Sequence, residues 1–375
     1  MIDTGESAYR SRVRGSLLGG AIGDALGGPV EFWNARRILD ICGEGGVTEY
    51  LPENVDGVTR YGLITDDTQM TLFTVEGLIR AGVRTDRGIG FTVSVTHHAY
   101  DRWLDTQLMG KPDGSRDGWL INEQWLYARR APGNTCLSAL IAARDGGRRI
   151  ARFGGRADND SKGCGGVMRS APFGFWPANS DENLGWQFGN AARAASYTHG
   201  HPTAQLASGA LAALIGALFM GEELDEALAT MMRHLRAHER HEETTRALQK
   251  AIDVSEAPPS VSAVESLGGG WVAEEALAIA VYAALQHPEP EDMLKALSLA
   301  VTHSGDSDST GAICGNILGA LHGEAALPPQ LVFEVEGRGT ILELADDFIY
   351  EFTRGHELHD DCGPHTRWTT RYPGV

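Results

Sequence analysis

Apolar residues recur every three to four positions along most of the chain, a period that predicts helices. In the run 68–81, Met70, Phe73 and Gly77 fall on one stripe and Leu72, Val75 and Ile79 on the adjacent one. That helix has a wide apolar face and is expected to be buried on most sides. The same spacing predicts helices over 12–25, 91–106, 121–129, 202–220, 224–254, 272–286, 290–302, 309–322 and 340–353, segments rich in the strong helix formers Ala and Leu. Clusters of Gly, Pro, Asn or Asp at 43–46, 111–118, 132–134, 158–166, 258–270 and 328–330 predict turns and loops between them. Period-two alternation is scarce. Residues 59–63 and 332–335 are the best short strand candidates, and neither recurs in a βαβ pattern. The pattern predicts an all-α protein.

A chain of 375 residues suggests roughly two domains at about 150 residues each. No composition step or fixed-period repeat separates two halves, however, so one many-helix domain over 1–375 is expected. The charge balance of 32 Lys+Arg against 50 Asp+Glu leaves −18, which repels phosphate backbones and makes nucleic acid an unlikely partner. At 42% apolar and 22% charged residues the composition is globular. The first fifteen residues lack the apolar core of a signal peptide. The longest apolar stretch, 206–220, is interrupted by Ser208 and two glycines and falls short of a bilayer span. These features set the expectation of a cytoplasmic protein with no membrane partner. Five cysteines without a CxxC pair suggest free thiols rather than a disulfide scaffold or zinc knuckle.

Two acid-rich corners change the picture. Residues 62–69 read GLITDDTQ, with Thr65, Asp66 and Asp67 in a row at the mouth of a predicted helix. Residues 302–311 read THSGDSDSTG, with Asp306 and Asp308 followed by Ser309 and Thr310, again at a helix mouth. Helix capping explains one acceptor in such a place. Three oxygen-bearing side chains in a row, twice, suggest instead that both corners point carboxylates into one cavity. Like charges held together stay protonated or need cations, and all-oxygen ligation selects Mg²⁺, Mn²⁺ or Ca²⁺ over zinc. Two ions about 3.5–4 Å apart would suit hydrolysis. A third element, GSLLGGAIGDALGGPVEFW over 15–33, places Gly19, Gly20 and Gly23 in a helix at about 1 kcal/mol each relative to Ala, so some neighbour must approach that backbone closely. Asp24 there is read as a partner of neighbouring backbone, and Glu31, taken alone, as a solvated loop residue.

In order along the chain, GDALGGPVEF, ITDDTQM, SKGCGGVMRSAP, YTHGHP, GGGWVAEEALA and HSGDSDSTGAICGNILGA resemble the ADP-ribosylglycohydrolase family, to which the dinitrogenase reductase-activating glycohydrolases belong. The likeness runs from about Arg14 to His322, leaving 323–375 as a helical extension. It implies an all-helical single domain with a binuclear Mg²⁺ or Mn²⁺ cleft that cleaves the C1″ bond between ADP-ribose and an acceptor such as arginine. The implied metal ligands are Thr65, Asp66, Asp67, Asp306, Asp308 and Ser309. Asp306 and Glu31 are the implied catalytic residues, Glu31 lying where the family has a glutamate near the scissile ribose. The loop bearing Ser161, Gly163, Cys164, Gly165, Gly166 and Met168 would bind substrate, with backbone N–H groups of 163–166 on the diphosphate. His199 and Trp271 would meet ribose or adenine.

The loop reads KGCGG where many relatives have a GNGG-like run, so Cys164 stands in place of an amide and is read as a small space-filling thiol. The charged stretch with His234, His238 and His241 reads as a solvated face, and the tail with His356, His359, Asp360, Asp361, Cys362 and His365 lacks zinc spacing. The implied partner is an ADP-ribosylated protein or small molecule, joined by an ADP-ribosyltransferase toxin if the chain is an immunity factor. Two rival readings accompany this one. A non-catalytic module would hold ADP-ribose or neutralise a toxin. A phosphatase would use 306–310 as a DxDxT motif, which requires a buried strand just before it, where 293–301 reads as helix.

Overall fold

The computed structural model describes residues 4–145, 154–358 and 366–374. Helices dominate, as the periodicity predicts. They are α1 (Thr4–Gly27), α2 (Ala35–Cys42), α3 (Asp66–Asp86), α4 (Ser94–Leu108), α5 (Asn134–Arg144), α6 (Asp181–Ala195), α7 (Pro202–Phe219) and α8 (Leu224–Arg236). The chain continues through α9 (Glu242–Val254), α10 (Val261–Leu267), α11 (Ala273–Gln286), α12 (Met293–Val301), α13 (Ser307–His322), α14 (Pro329–Glu334), α15 (Arg338–Leu358) and α16 (Arg367–Arg371). One apolar cluster runs from Val13 to Tyr372, so the ends of the described chain share a core. At its centre α7 is buried from Thr203 to Leu218, which is why its sequence is apolar on every side rather than on one stripe.

Several boundaries differ from the sequence expectation, each for a local reason. The span 224–254 is two helices, broken where Arg240 takes a left-handed φ of 64°. Residues 121–129 form two 3₁₀ turns, Leu120–Asn122 and Gln124–Leu126, rather than a helix, with Gln69 bonding the Ala128 carbonyl. The strand candidate at 332–335 is helical through Glu334, because Pro329 at the first helical turn starts α14 and outweighs the β-prone Val332, Phe333 and Val335, the last an extended C-cap. That at 59–63 shrinks to β2 (Val58–Arg60), paired antiparallel with β1 (Glu53–Val55) across Asp56–Gly57, both left-handed as a tight hairpin requires. The predicted loop 258–270 contains α10, capped by Ser260. Helices α2, α5 and α6 escape the periodicity, although Ser180 followed by Asp181 and Glu182 is a legible N-terminal signature for α6.

The contact that positions the site is between α1 and α13, which run past one another glycine to glycine. A Cβ built on Gly23 would lie 2.0 Å from the Gly311 carbonyl oxygen, and one on Gly315 would lie 1.9 Å from that of Gly19. Backbone meets backbone here, which answers what approaches the glycines of α1. The approach brings the C-terminal end of α1, with Asp24 and then Glu31, against the N-terminal end of α13, with Asp306 and Asp308. His356 and the tail residues His359, Asp360, Asp361, Cys362 and His365 lie outside the residues whose side chains are described.

Candidate active site

The two acid-rich corners meet. One cleft of about 340 Å³ is lined by Asp66 and Asp67 from α3 and by Asp306, Asp308 and Ser309 from α13, with Glu31 at the same wall. Carboxylate oxygens of Glu31, Asp306 and Asp308 lie within 4.8 Å of one another. Gly163, Cys164, Gly165, Met168, His199 and Trp271 line the same cleft. Thr65, Ser161 and Gly166 sit just behind this lining. Thr65 is buried at the N-cap of α3, Ser161 Oγ lies 3.2 Å from Thr135 Oγ1, and Gly166 packs on Ala195 and Ser208.

Whether Asp66 and Asp67 are caps or ligands is decided by what else caps α3. Thr65 Oγ1 accepts the Asp67 N–H at 3.3 Å. Buried Asp24 accepts the Thr65 N–H at 3.0 Å, the Thr68 N–H at 3.1 Å and the Thr68 hydroxyl. Thr65 and Asp24 thus take the N–H groups of Asp67 and Thr68 at the helix mouth, which a capping carboxylate of Asp66 or Asp67 would otherwise serve. Asp66 accepts a 3.3 Å bond from the Gly133 N–H, and Asp67 Oδ1 is buried with no hydrogen-bond partner. An orphaned carboxylate oxygen in an all-oxygen cleft is what a hard cation satisfies. At α13 both roles coincide: Asp306 Oδ1 and Asp308 Oδ1 accept the Ser309 N–H at 3.4 and 2.9 Å, and the other oxygen of Asp306 takes the Cys164 thiol at 2.8 Å.

Electrostatics follow from burial. Desolvation, then the charge of Asp308, pushes Glu31 up to about 9 and Asp24 up to about 7. The same causes hold Asp66, Asp67 and Asp306 well above the usual carboxylate range. The cluster without a cation is therefore protonated in part at neutral pH. Burial, then the charge of Arg169, pushes His199 down to about 3, so its ring is neutral. Burial and the charges of Asp306 and Asp67 raise the Cys164 thiol, which makes it an inert hydrogen-bond donor rather than a nucleophile.

The glycine loop departs from expectation in one respect. The Cys164 N–H donates to the Trp271 carbonyl at 3.2 Å and the Gly163 N–H to Ser161 Oγ at 3.3 Å, so two of the four N–H groups expected to face a diphosphate are occupied within the protein. Gly163 pairs with Val272 in a short bridge, which is why the loop lies flat against the start of α11. Beside it, a Cβ on Gly165 would lie 2.8 Å from Cys136 Sγ and 3.1 Å from the His199 ring, so only glycine fits.

Sequence reasoning missed three features. The wall 131–136 lies in or beside a predicted turn and carries no chemical signature, yet it lines the cleft and supplies the Gly133 N–H. Phe32, 74% exposed, stacks on Trp271 with ring centroids 5.8 Å apart at the cleft mouth. The Arg130–Glu336 ion pair grips the residue before Thr65: Arg130 donates to the Ile64 carbonyl at 2.7 Å and Glu336 accepts the Ile64 N–H at 3.4 Å. None of the three carries a signal in the sequence, since each depends on contacts between segments distant along the chain.

Fold and cleft define an almost entirely helical protein with a buried, oxygen-rich pocket between α3 and α13. The chain belongs to the ADP-ribosylglycohydrolase family, whose signature matches residues 5–357. It is 25% identical to the ADP-ribosylarginine hydrolase Tri1 of Pseudomonas putida, over 92% of this chain and 80% of that one. It is 26% identical to the ADP-ribosylhydrolase ARH3 of Danio rerio, over 95% of each chain. A solved ADP-ribosylglycohydrolase-related protein complex superposes with a TM-score of 0.67 at 23% identity, covering 92% of this chain and all of that one, a likeness of fold. Family and relatives together support a glycohydrolase acting on ADP-ribosylated substrates. The DxDxT reading loses its setting, since the helix α12 stands before Asp306 where a strand is required.

Proposed function

We propose that this chain is a divalent-metal-dependent hydrolase that releases ADP-ribose from ADP-ribosyl-arginine. The observation that carries the proposal is the meeting of Asp66 and Asp67 with Asp306, Asp308 and Glu31 in one cleft although more than 200 residues separate the two corners. A pair of Mg²⁺ or Mn²⁺ ions fits the donors present: the orphaned Asp67 Oδ1, Asp66, Asp306, Asp308 and the Ser309 hydroxyl, with Thr65 as a ligand only if its hydroxyl leaves its capping bond. The chemistry such ions supply when bound is Lewis acidity toward oxygen.

The chain's own residues account for the rest. Departure of the acceptor nitrogen from C1″ leaves oxocarbenium character that neighbouring carboxylates stabilise. Water forms the new bond to C1″, its proton passes to Asp306 or Glu31, and the leaving guanidine nitrogen takes up a proton. Glu31 is placed to exchange that proton, because its carboxylate sits at the cleft wall within 4.8 Å of those of Asp306 and Asp308. His199, neutral and fixed through Nδ1 to Thr198 Oγ1 at 2.8 Å, orients a ribose hydroxyl without adding charge. Trp271 offers its ring to ribose or adenine. A carboxylate-lined cleft favours a cationic guanidinium acceptor over a neutral one, which is the reason for choosing arginine, in keeping with the name of the Pseudomonas putida relative. Nothing in the cleft argues for a toxin as partner.

The test is release of ADP-ribose from ADP-ribosyl-arginine and ADP-ribosyl-serine peptides, with Mg²⁺ or Mn²⁺ and with EDTA. Metal-dependent release from the arginine peptide is expected. Tight binding of ADP-ribose without release from either peptide would turn the reading to a binding module.

A further inference from the structure

At the C-terminal end of α3, away from the acid corner at its start, lies a second cavity, also of about 340 Å³, of opposite character. Four guanidinium groups line it, those of Arg80, Arg84, Arg102 and Arg116, together with the hydroxyls of Thr92 and Ser94. His98 lines it as well, and Asp117 is its one carboxylate. In a chain of net charge −18 such a concentration of arginine is not a consequence of composition.

The arginines are held by partners that leave donors over. Arg80, 5% exposed, donates to the Pro373 carbonyl at 2.7 Å and forks onto Asp117 at 3.1 and 3.2 Å. Arg102, 3% exposed, is anchored by two bonds to one oxygen of Glu76. Arg116 pairs with Asp101 and Asp105 at 2.7 and 2.9 Å. Glu76, Asp101 and Asp105 do not themselves line the cavity, so their charge is spent behind it. Arg84 donates through Nη1 to the Gly374 carbonyl at 2.9 Å, while its Nε is buried with no hydrogen-bond partner. Burial and the charge of Arg102 lower the proton affinity of Arg80, the mark of cations crowded together.

We propose that this cavity is a binding site for a phosphate-type oxyanion, separate from the acidic cleft, held by the cluster of Arg80, Arg84, Arg102 and Arg116. Guanidinium groups fixed by their partners, beside the hydroxyl pair of Thr92 and Ser94, give one cavity the N–H and O–H donors that phosphate oxygens accept. The carbonyls of Pro373 and Gly374 tie residues 372–374 to Arg80 and Arg84, so an occupied site would also fasten this end of the described chain to α3.

Isothermal titration of the full chain with inorganic phosphate tests this, in EDTA so that the acidic cleft holds no cation and repels the anion. Binding is expected in the wild type, with Arg84→Gln weakening it tenfold or more while ADP-ribosyl hydrolysis in added Mg²⁺ is unchanged. Arg116→Gln serves as a second variant should Arg84→Gln unfold, and circular dichroism reports folding for both. Absence of phosphate binding in the wild type, or equal affinity in both folded variants, overturns the proposal.

Discussion

Replacing Gly315 by alanine tests the contact on which the acidic cleft depends. In an ordinary helix Gly→Ala stabilises by about 1 kcal/mol. Here the new Cβ would lie 1.9 Å from the Gly19 carbonyl oxygen and 2.3 Å from its carbon, against 3.4 Å for the near edge of ordinary contact. The shortfall of 1.5 Å falls on backbone, which has no rotamer to turn away, so α1 and α13 must move apart. Overpacking of this kind costs about 3 kcal/mol or more at its upper end, leaving a net loss of about 2 kcal/mol after the propensity gain. At about 2.1 cal/mol/K per residue, 375 residues give an unfolding entropy of about 0.8 kcal/mol/K, so Tm should fall by about 2–3 °C. Gly189 on α6 is the control: a Cβ there meets nothing within 4 Å, so Gly189→Ala should raise Tm by about 1 °C. Differential scanning calorimetry of the two variants beside the wild type gives both signs. Because α13 opens with Asp306 and Asp308, Gly315→Ala should also weaken Mn²⁺ binding, which Gly189→Ala should not. A Gly315→Ala protein as stable as the wild type would refute the backbone contact and, with it, the account of how the two acid corners are brought together.

Asp308→Asn should separate stability from activity: its charge raises the proton affinity of Glu31, Asp24, Asp66, Asp67 and Asp306, so its loss should raise Tm in EDTA while lowering hydrolysis about a hundredfold or more. A stable, fully active Asp308→Asn protein would remove it from the site. In EDTA, Tm should fall as pH rises from 7 to 9. Glu31 keeps its proton in the folded state up to about 9 but loses it near 4.5 when unfolded, so the folded state binds more protons across that window and its advantage is lost as pH rises. Saturating Mg²⁺ should flatten the slope, and a Tm that climbs with pH in EDTA contradicts the assignment. Glu336→Gln loosens the clamp on Ile64 ahead of Thr65, and should weaken Mn²⁺ binding about tenfold, measured by titration, with circular dichroism unchanged. Unaltered Mn²⁺ affinity would make the pair merely structural.

What the sequence could and could not disclose divides along the range of the interactions involved. The burial of α3 was legible because its apolar positions recur on adjacent stripes within the helix itself, and the acid corners were legible because carboxylates in a row exceed what a cap requires. The segment 332–335 misled because Val332, Phe333 and Val335 carry a β propensity that one proline at a helix start overrides. Deciding between cap and ligand was out of reach for a different reason. The answer depends on Asp24, 41 residues before Thr65 in the chain, which takes over the N–H groups of Thr65 and Thr68 and so releases Asp66 and Asp67 from that duty. Asp24 reaches them only because α1 is held in place by glycines packed against α13, a contact over nearly 300 residues of chain. The cluster of Gly19, Gly20 and Gly23 announced a close approach without naming the partner. Once that partner is known to be the helix opening with Asp306 and Asp308, the glycines and the carboxylates belong to one argument: the small residues let two backbones touch, and the touching backbones carry the acids to one place.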